Sequence, residues 1–127
     1  MRNHEQSFDR LSIFSDPEVK EPNRLGITVH AGEDFYHLLS GLRAVDETIE
    51  FARMGAGDRL GHAIALGLDS SNWRRRLGDT IVMPRGVRLD DLVWLRSLLI
   101  SHQLHPSVVI QLDSSIDRLY RQIYLSK

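Results

Sequence analysis

Apolar residues along this chain fall into two short runs and three helical stripes. Leu25-Gly-Ile-Thr-Val-His30 is brief and rich in β-branched residues, which predicts a buried strand. Ala31-Gly-Glu-Asp34 follows as a turn. Over residues 37–54, Leu38, Leu42, Val45, Ile49 and Ala52 recur at steps of four and three, the stripe of a helix with one buried face. Arg43 and Glu47 lie off that stripe at the i,i+4 spacing of a helical ion pair. Gly55 and Gly57 end the helix. Asp58-Arg-Leu-Gly-His62, extending at most to Ile64, predicts a second short strand. Strand, helix and strand in this order make a βαβ unit with parallel strands.

Beyond this unit the pattern loosens. Gly67, Gly78, Pro84 and Gly86 predict an irregular stretch over residues 67–88. Asp90 then suits the N-cap of a helix over 91–103 with the stripe Leu92, Leu95, Leu99 and His102. Pro106 suits the first turn of a last helix, which carries Val109, Leu112, Ile116, Leu119 and Ile123 as far as about residue 124. This last stripe holds more apolar surface than a two-helix hairpin hides, so the 109–123 face is expected to meet further core or a second copy in a homo-oligomer. Residues 1–24, with Pro17 and Pro22, read as a leader or connecting segment, and 25–127 as the structured part.

Composition narrows the function. The formal net charge of −1 lacks the basic excess of a general nucleic-acid binder. The absence of cysteine excludes disulfides and thiolate zinc sites, including the cytidine-deaminase type, but not a metal held by His and Asp. No apolar run approaches the roughly 18 residues of a membrane span, and no signal-peptide pattern is present. The expectation is a cytoplasmic protein without membrane contact.

The chemistry gathers at two strand ends. His30-Ala-Gly-Glu33 closes the first predicted strand and Gly61-His62 the second. In parallel α/β folds that edge presents ligand-binding and catalytic side chains. A neutral imidazole can hold a metal, a carboxyl group can exchange protons, and a second imidazole can orient a water. From spacing alone two readings stand. The three residues form a site, or the histidines are structural and Glu33 caps the next helix. Blander roles suit the other candidates: a solvated face for Arg74-Arg75-Arg76, a solvent-facing or capping place for His37, anchoring for Trp73 and Trp94, and a helix cap for Asp34.

His30-Ala-Gly-Glu33, then a helix, then Asp58-Arg-Leu-Gly-His62, resembles the adenosine deaminase family of metal-dependent amidohydrolases over about Leu25 to Leu68. The resemblance implies a (β/α)8 barrel, with these motifs ending its fifth and sixth strands and the later helices as additions. It implies that His30 is a zinc ligand and that Glu33 is the acid that protonates purine N1 while C6 is attacked. It implies that His62 orients and helps deprotonate the water at the metal. The substrate class is an adenine nucleoside or nucleotide, converted to the inosine form with release of ammonia. Burial would favour the protonated form that Glu33 needs for this role.

Departures from the family pattern accompany the match. The family's His-X-His pair and its late Ser/Asn-X-Asp-Asp segment have no counterpart here. Asp113-Ser114-Ser115 falls mid-helix, and His102 and His105 lie beside a later helix. Ala63 stands where the family commonly has glycine. A catalytic zinc takes about three protein ligands, and such a barrel needs about 250 residues or more. The chain is therefore expected to be part of a larger enzyme, purified without stoichiometric zinc and inactive on adenosine by itself. Another amidohydrolase, or a non-catalytic truncated or assembly module, are the rivals. Gly57-Asp-Arg-Leu-Gly-His-Ala-Ile-Ala-Leu-Gly67, Trp73 and Leu89-Asp-Asp-Leu-Val-Trp-Leu95 also resemble, more loosely, the long deaminase subunits of the bacterial RADAR antiphage system, which carry helical insertions.

Overall fold

The computed structural model describes residues 25–78 and 80–125; the leader or connecting segment expected at 1–24 lies outside them. The elements in order are β1 (Thr28–Ala31), α1 (Leu38–Phe51), β2 (Arg59–His62), α2 (Ile64–Gly67), α3 (Ser70–Leu77), α4 (Arg85–Ser101) and α5 (Pro106–Tyr120). A π-helical turn, Arg121–Leu125, follows. The chain is mixed α/β and mostly helical.

β1 and β2 are parallel, and α1 connects them, as the order of apolar patterns predicts. Among the described residues the sheet has only these two strands. Val29 pairs with Leu60, His30 with Gly61, and Ala31 with His62. Asp58 sets this register from the other end. Its carboxylate accepts from Ile27 N at 3.0 Å and from Gly55 N at 2.8 Å. It thereby joins the approach to β1 to the turn before β2. The strands are not buried as expected: Leu25 is 90% exposed and Ile27 is also exposed. With one neighbouring strand and one crossover helix, nothing described covers that end of the sheet.

Leu38 and Val45 of α1 are buried, Val45 against the turn that leaves β1. Gly32 (φ 77°) lies so close that a Cβ there would stand 2.6 Å from Val45 Cγ2. Leu42 and Ala52 of the expected stripe are half-buried, whereas Ile49 is exposed. A second core lies between α4 and α5. Leu92 and Leu99 meet Leu112 there, with Leu95, Val109, Ile116 and Leu119 packed around them. The final stripe therefore meets α4 of its own chain along most of its length. Other apolar side chains stay exposed, Phe51, Leu66 and Ile110 among them. No helix of the described residues is long and apolar enough to cross a membrane.

Polar contacts join the two cores. Asp91 of α4 is fully buried; its carboxylate accepts from Ser40 Oγ and, at 2.9 Å, from Arg43 Nε, both on α1. Arg43 also reaches Glu47, the predicted i,i+4 pair, at 3.0 Å. Burial works against the Arg43 charge, but hydrogen bonds to Asp91 and Glu47 outweigh it and hold the guanidinium above its ordinary pKa. Trp94 Nε1 donates to Asp46 Oδ2 at 2.7 Å, a second link from α4 to α1.

Between residues 67 and 88 the expected irregular stretch is partly helical. α2 ends at Gly67, α3 fills Ser70–Leu77, and α4 begins at Arg85. Asp69 caps α3 by accepting from Asn72 N at 2.7 Å, and Gly78 (φ 76°) closes it. An Asp before two serines was a capping signal hidden inside a run of loop-like residues. Asp90 is not an N-cap: α4 starts more than a turn earlier, after Pro84. Pro84 fixes an extended approach (φ −59°, ψ 138°), and Gly86 is tolerated in the first turn. Pro106 opens α5 as expected.

The buried acid yields a direct test. Removing one partner of a buried ion pair costs about 3–5 kcal/mol where the other charge is left uncompensated; Arg43 keeps Glu47, which puts the loss here at the low end of that range. Asp91→Ala is expected to lower the urea-unfolding free energy by about that amount. A loss of about 1 kcal/mol or less, the scale of an exposed pair, would show that this contact does not couple the two cores.

Candidate metal centre

The carboxyl ends of β1 and β2 bring the two sequence motifs to one place. His30 stands opposite Gly61, so its ring can lie across a residue with no side chain. A Cβ at Gly61 would be 2.5 Å from His30 Cδ2 and 2.7 Å from its Nε2. A side chain at 61 would displace the imidazole of the neighbouring strand from this position.

Regular pleating would turn His62, paired with Ala31, to the face opposite His30. It does not, because the pleat ends there. His62 (φ 61°) and Ala63 (φ 45°) both take left-handed backbone. For non-glycine residues that conformation costs on the order of 1–2 kcal/mol each. Hydrogen bonds hold it: Ala63 N donates to Ala31 O at 3.1 Å and Ala65 N to Gly32 O at 2.9 Å. The His30 and His62 rings consequently meet edge to face, centroids 4.7 Å apart.

Glu33 completes the group. The ligand atoms of His30, Glu33 and His62 all lie within 4.8 Å of one another. The histidines are exposed and Glu33 is half-buried. Glu33 Oε2 is buried without a hydrogen-bond partner, a costly state for a carboxylate unless a proton or cation meets it. Two imidazoles and a carboxylate make a donor set suited to a divalent transition metal. This group could hold a metal ion. No family model and no curated protein matches this chain.

The remaining candidates separate from this group. Asp34 is exposed and caps no helix; His37 is the N-cap of α1, its Nδ1 accepting from Leu39 N at 3.0 Å. Arg74, Arg75 and Arg76 lie on α3 and are exposed. His102 and His105 sit in the α4–α5 turn, and Asp113 lies within α5. Reading the residues alone did not bring out Gly61 as a packing requirement or Asp91 as a buried acid. The signal for the first was its place opposite a histidine. For the second it was an acid three residues after Arg88 on the apolar stripe of Leu92 and Leu99.

His37 generates a pH test. Its ring meets Trp73 edge to face at 4.9 Å. Burial and then the charge of Arg88 lower its pKa, against an opposing effect of Asp91. Protonated Nδ1 cannot accept from Leu39, so the unfolded chain binds this proton more readily than the folded one. The stability that neutral His37 contributes is complete above its ordinary value of 6.5 and is lost as pH falls below it. Melting temperature should therefore fall more steeply from about pH 7 to about pH 5 in the wild type than in His37→Asn, whose amide caps without titrating. Parallel profiles would contradict this role.

Proposed function

We propose that this chain carries two strand ends of the catalytic centre of an adenosine-deaminase-like hydrolase built on a (β/α)8 barrel. The observation that carries the reading is the meeting of His30, Glu33 and His62 at the carboxyl ends of adjacent parallel strands. The sequence motifs around them resemble the family's. A two-strand parallel sheet is a poor free-standing unit, since parallel strands are ordinarily covered on both faces within larger sheets. The exposed Leu25 and Ile27 support such a larger sheet.

In this reading His30 holds zinc together with ligands beyond these three residues. When bound, zinc acts as a Lewis acid that makes a water nucleophilic near neutral pH. His62 orients that water and takes its proton as the oxygen adds to C6 of an adenine nucleoside or nucleotide. Glu33 donates a proton to N1 of the ring, a role supported by its buried Oε2, which has no other partner. His62 then passes its proton to the C6 amino group, the C6–N bond breaks and ammonia leaves, and the C6 hydroxyl becomes the carbonyl of the inosine form as its proton restores Glu33.

A second reading follows from the compactness of the group. All three residues are close enough to serve as ligands together, a two-histidine, one-carboxylate set also found in catalytic zinc sites. Zinc titration of variants separates the two. If Glu33 is the acid, Glu33→Gln keeps zinc affinity and abolishes turnover in a protein with the complete ligand set, while His30→Ala weakens zinc at least tenfold. If Glu33 is a ligand, Glu33→Gln weakens zinc as much as His30→Ala does. These 127 residues alone should purify with little zinc and leave adenosine unchanged in an ultraviolet assay. Robust turnover by them would overturn the partial-site reading, and failure of His30→Ala to alter zinc uptake would overturn both.

A further inference from the structure

A cavity of about 630 Å³ opens between the start of α1, helix α3 and the first turns of α4, with Leu119 of α5 at one wall. It shares no lining residue with His30, Glu33 and His62. Its volume falls in the range of small-molecule sites, about 300–1,000 Å³. Trp73, Ile81 and Met83 give it an apolar side; Arg85 and Arg88 give it a cationic one. None of the described residues that line it is acidic. Asp91, whose charge reaches His37, directs its carboxylate to Ser40 and Arg43.

The placement of the arginines goes against helix electrostatics. Arg85 and Arg88 sit three apart at the amino end of α4, where the helix dipole is already positive. No acid occupies that first turn, and Pro84 supplies no side-chain cap. Like charges gathered there cost stability, and an anion removes that cost. His37 adds a donor of the right sense. Because its Nδ1 accepts from Leu39 N, the proton of the neutral ring is on Nε2.

We propose that this cavity is a binding site for a small phosphate-bearing anion, with Arg85 and Arg88 holding the phosphate oxygens and Trp73 packing against any organic body. A guanidinium presents paired donors matched to phosphate oxygens, and an indole face suits an aromatic or apolar substituent. Inorganic phosphate and an aromatic phosphate monoester share this chemistry and differ in their use of Trp73. The site does not rest on the metal reading, and its test excludes metal.

Isothermal titration of the full chain in the presence of a chelator, with inorganic phosphate and with phenyl phosphate, decides it. Both are expected to bind, and the double variant Arg85→Gln, Arg88→Gln should weaken both at least tenfold. If the occupant is a monoester, phenyl phosphate binds at least tenfold tighter than phosphate, and Trp73→Leu removes that advantage. Equal affinities assign the site to free phosphate. Nuclear magnetic resonance of the wild type guards against variants that fail to fold: the Trp73 indole and His37 imidazole signals must shift on addition of phenyl phosphate. No binding at millimolar ligand, shifts confined to other residues, or unchanged affinity in a folded double variant each overturns the proposal.

Discussion

Everything at the candidate centre depends on the register of β1 against β2. With His30 opposite Gly61, an imidazole lies where any side chain at 61 would collide with it. A one-residue slip would place Leu60 or His62 beneath that ring and send the next side chain to the other face. Asp58 holds the register from the far end through two backbone N–H groups. Left-handed backbone at His62 and Ala63 ends it at the near end. Arg53, Gln103 and His105 also take positive φ, but at His62 and Ala63 the strain brings a second imidazole beside the first.

Polar contacts tie the helical remainder to this unit. Asp91, buried with Ser40 and Arg43, and Trp94 with Asp46 join α4 to α1. α1 in turn carries the loop that presents Glu33. Replacing a buried ion pair by well-packed apolar residues is often neutral or stabilising, whereas removing one partner alone is costly. The cavity beside His37 is formed by the same juxtaposition, since α1 and α4 supply two of its walls.

Much of this was legible in the residues. The βαβ unit could be read from the change between short β-branched runs and the four-three stripe of Leu38, Leu42 and Val45. The strand-end placement of His30, Glu33 and His62 followed from it. The Arg43–Glu47 pair and Pro106 at the start of α5 were local signals, and local signals survive folding. Less local features did not show. α3 is short, polar and rich in arginine, without an apolar stripe to reveal it, and only the Asp69 cap marked it. The start of α4 was hidden by Pro84 and Gly86, which read as loop punctuation; Pro84 stands just before the helix and Gly86 lies in its first turn. Asp91 looked like one of two ordinary acids beside Asp90; its burial depends on Ser40 and Arg43, some fifty positions earlier. The strand-end histidines could be read as a pair, but their contact required a backbone conformation that no pattern of side chains announces.

The most direct test of a metal centre at the paired strand ends is a zinc titration followed on the histidine side chains by nuclear magnetic resonance. The chain supplies its own controls, because His37, His102 and His105 lie outside the group. The His30 and His62 imidazole signals are expected to move together as zinc is added, while those of His102 and His105 stay in place. Zinc-dependent shifts centred on His102 and His105, or movement of His30 without His62, would contradict the claim that the paired strands build one metal centre.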